Sequence, residues 1–335
     1  MNRYKRQYLF PPIQERGQKK LLHSSVLVVG AGALGTVICN HLARAGVGHI
    51  RLVDRDYVEW SNLQRQMLFD EDDVKESLPK AIAAKHKLEK INSEITIEAI
   101  VTHVTHRNIE ELVDGVDVVL DGTDNFSTRF LLNDICFKKE IPFSYGGVVS
   151  SRGITAFFIP KRTPCFRCMV TEGSDHGQTC DTVGVIAPVV DVIASLEVTE
   201  TLKYLTGNTS HLRNTVHTID LWYNRTFDIK FSESKHDCPT CQQQLYPSLH
   251  PQVAEEETVL CGRNTVQIYR KSNMDLAYWE KQLANVATVR RTPFLLRVEF
   301  RKGIEFVIFP DGRVLVQGTE DTIQARTWYD RYIGS

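Results

Sequence analysis

The glycine-rich segment Gly30-Ala-Gly32-Ala-Leu-Gly35 constrains the fold of this chain more than any other feature. It directly follows the apolar run at residues 26–29, and an apolar stripe with helical spacing then continues as far as residue 45. A second apolar run, residues 50–53, leads into Asp54, which stands 19 positions after Gly35. This order predicts a strand, a tight turn, a helix and a second strand, which is the βαβ unit that binds nucleotides.

Strand and helix patterns alternate through the next 150 residues. This alternation predicts an α/β fold, a doubly wound and mostly parallel Rossmann-like sheet. The polar segment 171–184 is predicted to be a mobile loop. The predicted strands are residues 95–101, 116–120, 141–149 and 155–159, and the predicted helices are residues 80–91, 128–139 and an amphipathic one from Pro188 to Gly207, with Val189, Ile193, Leu196, Leu202 and Leu205 on its apolar side.

A second region of the chain begins after an interruption near residues 242–260, where glutamines, prolines and glutamates break the periodicity. Beyond it, two apolar runs flank Asp311-Gly312 and predict a β-hairpin, and residues 322–332 predict a closing helix. We therefore expect one domain over residues 1–245 and a small α+β extension over residues 260–335.

Charge and composition exclude several classes of protein. The 335 residues carry 40 Lys+Arg and 41 Asp+Glu, so bulk charge would not drive binding to nucleic acid or to a membrane. No apolar run approaches the roughly 18 residues of a spanning helix, and the first residues lack a secretory signal. We expect a cytoplasmic protein.

The eight cysteines include two closely spaced pairs, Cys165-x-x-Cys168 and Cys238-x-x-Cys241. Four thiolates match a tetrahedral zinc site. The 69 residues between the pairs exceed what a compact zinc ribbon uses, so unrelated buried or redox-active thiols remain the alternative. Cys39 and Cys136 lie on predicted helix faces and are expected in the core, whereas Cys261 has no predicted role.

Basic residues near the glycine-rich segment bear on which nucleotide is bound. The glycines and Asp54 alone would favour NAD, yet Arg65 and Lys80, with Asn62 as a neutral donor, follow soon after. A reaction that expels pyrophosphate needs such cations because negative charge builds on the leaving group, whereas hydride transfer does not. The alternative for each basic residue taken singly is a solvated surface charge.

These motifs together resemble the ThiF/MoeB/HesA family, the bacterial relatives of ubiquitin-activating enzymes. The resemblance runs from Arg3 to Cys241, and the remaining tail resembles the C-terminal extension of longer ThiF-type members. The segments that carry it are Gly30-Ala-Gly-Ala-Leu-Gly35, Ala45-Gly-Val-Gly48, Val53-Asp54, Asp56, Ser61-Asn-Leu-Gln-Arg-Gln66, Leu78-Pro-Lys80 and Asp121-Gly-Thr-Asp-Asn125.

The resemblance implies a homodimeric adenylyltransferase that uses ATP and Mg²⁺, contains structural Zn²⁺ and modifies the C-terminal glycine of a ubiquitin-like sulfur carrier protein ending in Gly-Gly. It assigns Asp124 to magnesium, although that carboxylate could instead cap the helix at Thr128. It also assigns Arg6 to the partner subunit's site, and Cys180 to attack on the acyl adenylate or a covalent link to the carrier. The positions that match the family's ATP site are Gly30, Gly32, Gly35, Asp54, Ser61, Asn62, Leu63, Gln64, Arg65, Lys80, Asp124 and Asn125, and Cys165, Cys168, Cys238 and Cys241 match its zinc site.

The resemblance leaves the carrier open between two pathways, and we expect the ThiS-like carrier of thiamine thiazole synthesis rather than the molybdopterin one. A sulfur donor protein is a further expected partner. Two hypotheses from other classes are an NAD-dependent oxidoreductase built on the same glycine fingerprint and a non-catalytic scaffold that binds a ubiquitin-like tail.

Overall fold

The computed structural model describes residues 3–170, 183–231, 233–250, 257–260, 264–269, 273–300 and 303–334. The chain divides into two compact units, Met1–Pro251 and Gln252–Ser335. Within the described ranges, none of the helices is long and apolar enough to cross a membrane.

The first unit is built on one eight-stranded sheet with the strand order β3-β2-β1-β4-β5-β6-β7-β8. The first five strands in this order pair in parallel, and the last three pair antiparallel. The strands are β1 Ser25–Val29, β2 His49–Asp54, β3 Thr96–Val101, β4 Val118–Asp121, β5 Phe143–Val149, β6 Arg152–Phe158, β7 Thr215–Asp220 and β8 Arg225–Lys230.

Helices cover both faces of this sheet, as a doubly wound fold requires. One apolar core lies under α3, α5 and α9, and the other lies under α6, α7 and α8. The helices are α1 Lys5–Tyr8, α2 Gln14–His23, α3 Ala33–Ala45, α4 Glu71–Lys75, α5 Lys80–Ile91, α6 Ile109–Leu112, α7 Phe126–Lys139, α8 Phe166–Met169 and α9 Ala187–Thr206. The predicted fold class is confirmed.

Glycines end the two long helices that pack on the first core. Gly46 follows α3 with φ +79° and Gly207 follows α9 with φ +86°, both in the left-handed region where a side chain is strained. The predicted ends of both helices, and the predicted helix at residues 80–91, agree with the structure.

Two features of the first unit differ from the predictions. Strands β7 and β8 form a hairpin that lies outside the predicted strands, and every residue of β8 is exposed, including Phe227 and Ile229. The buried face of α9 includes Glu197, Glu200 and Thr201, whereas the predicted apolar residues Leu196, Leu202 and Leu205 are only half-buried.

In its described residues, the second unit contains a six-stranded antiparallel sheet with the order β11-β12-β13-β14-β10-β9 and two helices. The predicted hairpin joins β13 to β14, and Gly312 in its turn has φ +92°. This confirms the predicted α+β appendage. Its elements are β9 Glu257–Leu260, β10 Thr265–Tyr269, α10 Leu276–Leu283, β11 Thr288–Arg291, β12 Leu296–Glu299, β13 Glu305–Ile308, β14 Arg313–Gln317 and α11 Thr322–Tyr332.

Candidate nucleotide site and cysteine cluster

Two of the three predicted glycines are required by the packing of the chain itself. Gly30 turns the backbone at the end of β1 with φ +94°, a conformation that favours glycine. A Cβ on Gly35 would lie 1.8 Å from the carbonyl oxygen of Gly30, so no larger residue fits the first turn of α3. These glycines explain how β1 passes directly into α3.

Gly32 differs from the other two because packing alone does not require it. It is the N-cap of α3, and a Cβ there would meet only the carbonyl oxygen of Gly122, at 3.7 Å. The absent side chain therefore leaves space at the positive end of α3, where free N–H groups suit an anion. This cradle fits the phosphates of a nucleotide.

Asp54 lies beside this cradle at the end of β2. Its carboxylate accepts hydrogen bonds from the backbone N–H of Ala31 at 2.6 Å and of Asp56 at 2.6 Å. Burial raises the pKa of Asp54, and the nearby Lys80 ammonium opposes that rise. The carboxylate thus fixes the glycine turn and can also accept from a ribose hydroxyl.

Lys80 is not a solvated surface charge. It opens α5 with only 2% of its surface exposed, and its Nζ lies 3.6 Å from Asp56 Oδ2. The backbone N–H of Lys80 also donates to the Asp56 carbonyl at 2.8 Å. Asp56 is a site residue that was not predicted, although its position two residues after Asp54 in the matching motif was the available signal.

The segment with Asn62 and Arg65 forms a tight turn that begins with the 3₁₀ helix Trp60–Asn62. Asn62 is buried, and its Oδ1 accepts from the backbone N–H of Glu59 at 3.1 Å, which leaves its amide N–H groups as the donors for a ligand. Arg65 is half-buried and donates to the Ser61 carbonyl at 2.9 Å.

The other predicted residues of this turn have different environments. Leu63 is half-buried against the first core, whereas Ser61 and Gln64 are exposed. Gln64 Nε2 donates to the carbonyl of Val185 at 3.4 Å. Cys180 lies outside the described residues, five positions before Val185, as do Cys261 and most of the predicted mobile loop.

Asp124 and Asn125 lie on the turn between β4 and α7. Asn125 caps α7, since its Oδ1 accepts from the backbone N–H of Thr128 at 3.0 Å. The alternative for Asp124, a helix cap at Thr128, is therefore wrong. Asp124 is exposed, and its carboxylate can hold Mg²⁺. The turn reaches the nucleotide cradle because Gly122 donates from its N–H to the Val29 carbonyl at 2.8 Å.

Arg6 lies near the C-terminal end of α3, whereas the cradle lies at the N-terminal end of that helix. Its helix α1 packs at the end of α3, where Gln7 Nε2 donates to the Ala45 carbonyl at 3.0 Å. Since α3 rises about 1.5 Å per residue, its 13 residues place its Ala45 end, beside α1, roughly 20 Å from Gly32. Arg6 is exposed and cannot reach the site of its own chain.

The four paired cysteines come together as a single cluster. Their Sγ atoms all lie within 4.8 Å of one another, with separations of 3.8 Å for Cys165–Cys168, 3.5 Å for Cys165–Cys238 and 3.4 Å for Cys168–Cys241. Four sulfurs at about 2.3 Å from one zinc ion would be about 3.8 Å apart. The cluster fits zinc, whereas Cys39 and Cys136 are buried apart from it, as predicted.

A buried ionic network holds the two cysteine pairs against α7. Asp134 is fully buried and accepts from Arg167 at 3.1 Å, from the Thr240 hydroxyl and from the backbone N–H of Ser248 at 2.8 Å. Arg167 lies inside the first pair and Thr240 inside the second, so both pairs are positioned by the same carboxylate. Such outer contacts orient metal ligands.

Comparison with known proteins defines the class of this chain. Residues 4–240 match the ThiF family. Over 336 residues the chain is 43% identical to the sulfur carrier protein ThiS adenylyltransferase of Bacillus subtilis, and the match covers 99% of each chain. It is 38% identical over 208 residues to the molybdopterin-synthase adenylyltransferase of Escherichia coli, covering 62% of this chain and 83% of that protein. A crystal structure of E. coli MccB with ATP aligns with a TM-score of 0.62 and 26% identity, covering 72% of this chain and 74% of that one.

The fold and the site thus define a nucleotide-binding enzyme of the adenylyltransferase class. The chain belongs to the ThiF family. The hypotheses of an NAD-dependent oxidoreductase and of a non-catalytic scaffold do not agree with these relatives, which are adenylyltransferases by name.

We expect substitution by alanine to affect stability at Gly35 and nucleotide binding at Gly32. Gly35→Ala should lower the free energy of unfolding by roughly 2 kcal/mol because its Cβ clashes with the backbone. Gly32→Ala should leave unfolding nearly unchanged and weaken binding of α,β-methylene-ATP by about tenfold or more, because its Cβ fills the phosphate cradle. Denaturant unfolding and calorimetric titration measure these effects, and unchanged nucleotide affinity in Gly32→Ala would place the phosphates elsewhere.

The cysteine cluster predicts one zinc ion per chain. Cys238→Ser should lose the metal and most of the cooperative unfolding transition, because a closed site of four thiolates contributes directly to folding free energy. Cys39→Ala, which removes a buried thiol away from the cluster, should keep the metal. Elemental analysis and thermal unfolding of the freshly purified proteins test this, and metal-free wild-type protein would contradict it.

Proposed function

We propose that this enzyme transfers AMP from ATP to the C-terminal glycine carboxylate of a ubiquitin-like, ThiS-type sulfur carrier protein of thiamine thiazole synthesis. The observation that carries the proposal is the nucleotide cradle at Gly32 with Asp54 and Lys80 beside it. The B. subtilis relative, a ThiS adenylyltransferase that matches 99% of the chain, supports this carrier.

The residues present suit a reaction that needs no general base. The carrier's C-terminal carboxylate has a pKa near 3.5 and is ionised at neutral pH. One of its oxygens attacks the α-phosphorus of ATP, the bond from that phosphorus to the bridging oxygen breaks, and pyrophosphate leaves with the electron pair. Positioning and neutralisation of charge are then the main demands on the protein.

Cationic and amide groups would meet the second demand. Lys80, Arg65 and the amide of Asn62 would contact the phosphates, and Lys80 is held in place by Asp56 until they arrive. Asp54 would accept from the ribose, and Asp124 would hold Mg²⁺. When bound, that ion neutralises phosphate charge and orients the leaving group.

We further propose a homodimer in which each subunit supplies Arg6 to the other's site. The position of Arg6 supports this, because its helix α1 packs at the Ala45 end of α3, about 20 Å along that helix from its own cradle. The exposed Leu9 and Phe10, with 65% and 53% of their surfaces exposed, lie just after Arg6 and would be covered in such an assembly.

Several further assignments belong to this proposal. The zinc site is closed and structural. The adenylyltransferase domain comprises residues 1–245, and residues 260–335 form the extension. The Cys180 thiolate attacks the acyl adenylate, forms a thioester and displaces AMP, or carries a link to the carrier, before a sulfur donor protein delivers sulfur.

The molybdopterin-synthase carrier is the second candidate substrate. The 38% identity to the E. coli molybdopterin-synthase adenylyltransferase favours it, but that match covers only 62% of this chain. The match to the B. subtilis ThiS adenylyltransferase includes the extension. Rescue of a deletion strain by thiazole supports the ThiS-type carrier, and rescue only of a molybdoenzyme defect supports the other.

Carrier-dependent exchange of labelled pyrophosphate into ATP tests the proposed reaction. The wild-type enzyme should catalyse exchange only when a carrier ending in Gly-Gly is added. Lys80→Ala should reduce it by about 10²-fold or more, since it removes a preorganised positive charge, whereas Lys85→Ala on the exposed side of α5 should not. If no such carrier supports exchange, the proposed adenylyl transfer is refuted.

Mixing two inactive variants tests the shared site. Arg6→Ala and Lys80→Ala subunits, denatured and refolded together, should regain about a quarter of wild-type exchange, because half the dimers are mixed and each has one complete site. Activity no greater than that of the two separate variants would show that Arg6 does not act across subunits.

A further inference from the structure

The turn between β4 and α7 carries Asp124 and is held by a buried guanidinium that the reaction described above does not use. Arg129, in the first turns of α7, donates from Nε to Asp121 Oδ2 at 2.8 Å. It also donates from Nη2 to the carbonyl of Thr123 at 2.7 Å and to that of Gly146 at 3.1 Å. One side chain thereby joins both sides of the turn to β5.

Asp121 completes this arrangement from the end of β4. Its second oxygen, Oδ1, accepts from the backbone N–H of Thr123 at 2.9 Å and from the Thr123 hydroxyl at 2.6 Å. Asp121 is fully buried and Arg129 is 6% exposed, so their interaction is little screened by water. The carboxylate and the guanidinium together determine the path of the backbone at residues 121–123.

Aromatic rings restrict the guanidinium further. It lies 5.2 Å from the ring centre of Phe126 and 5.3 Å from that of Tyr145. Lysine could retain the positive charge at this position but not the planar group that serves three acceptors at once. The change Arg129→Lys therefore keeps the positive charge and removes the planar geometry.

A third ionisable group lies beside this pair. Glu197 of α9 is fully buried, and its carboxyl packs so closely on Gly146 that a Cβ there would lie 1.9 Å from Oε1. Burial, with Asp121 nearby, raises the pKa of Glu197 well above its usual range, and the Arg129 guanidinium opposes that rise.

Movement of this turn would be transmitted directly to the nucleotide cradle. A Cβ on Gly122 would lie 2.4 Å from the Gly30 oxygen and 2.9 Å from the Cα of Gly35, so the two backbones touch without intervening side chains. Asp124 follows two residues later, exposed and directed by the same turn.

We propose that Arg129 is a positioning residue for adenylyl transfer: through Asp121, Thr123 and Gly146 it holds the turn so that Asp124 faces the nucleotide cradle. This inference rests on the proposed function for its catalytic consequence. The restraint on the turn is a property of the chain itself and can be measured without substrate.

Hydrogen exchange of the free enzyme tests the restraint. In Arg129→Lys, the amides of Gly122 and Thr123 should exchange about tenfold or more faster than in the wild type, because the turn opens locally. The matched control is Arg167→Lys, which alters the other buried arginine–aspartate pair, at the cysteine cluster, and should leave these amides unchanged. Unchanged protection in Arg129→Lys, or an equal change in both variants, would overturn the proposal.

A double-mutant cycle then tests whether Arg129 acts through Asp124. Arg129→Lys should lower kcat for carrier-dependent pyrophosphate exchange about tenfold in the wild-type background and less than about twofold in Asp124→Asn. The same loss in both backgrounds would refute a positioning role. If the wild type shows no exchange with any carrier, the proposed function fails, and the hydrogen-exchange result alone decides whether Arg129 restrains the turn.

Discussion

The rest of the nucleotide site depends on the direct backbone contact between Gly30 and Gly122. These residues end the neighbouring parallel strands β1 and β4, and a Cβ on either would overlap the other's backbone. Because no side chain separates the two turns, the N-terminus of α3 and the turn that carries Asp124 meet at one edge of the sheet. Asp54, from β2, fixes the same glycine turn through the N–H of Ala31.

Helix α7 links this edge to the cysteine cluster. Arg129 near its start restrains the turn after β4, and Asp134, five residues later, anchors both cysteine pairs through Arg167 and Thr240. Five residues of helix span only about 7.5 Å. The turn after β4 and the cysteine cluster are thus contacted by side chains of the same helix, α7.

The sequence predicted the parts of the molecule that local rules determine. Glycine spacing, apolar runs and helix-ending glycines located β1, α3, β2, α5 and the ends of α9, and the two cysteine pairs located the cluster. The hairpin of β7 and β8 lies outside the predicted strands because β8, although it carries Phe227 and Ile229, is exposed throughout and has no buried apolar run. The roles of Asp56, Arg129 and Glu197 could not be predicted because they depend on contacts between elements far apart in the chain. For Arg129 and Glu197, a polar residue in a helical pattern otherwise indicates a solvated surface.

The central claim is that ATP binds at the edge formed by β1, β2 and β4, and a crystal structure with α,β-methylene-ATP and Mg²⁺ tests it most directly. That analogue resists cleavage between the α- and β-phosphorus atoms and so preserves the complex before adenylyl transfer. We expect the phosphates against the backbone of Gly32 at the start of α3 and a ribose hydroxyl within hydrogen-bond distance of Asp54. A nucleotide bound away from Gly32 and Asp54 would contradict it.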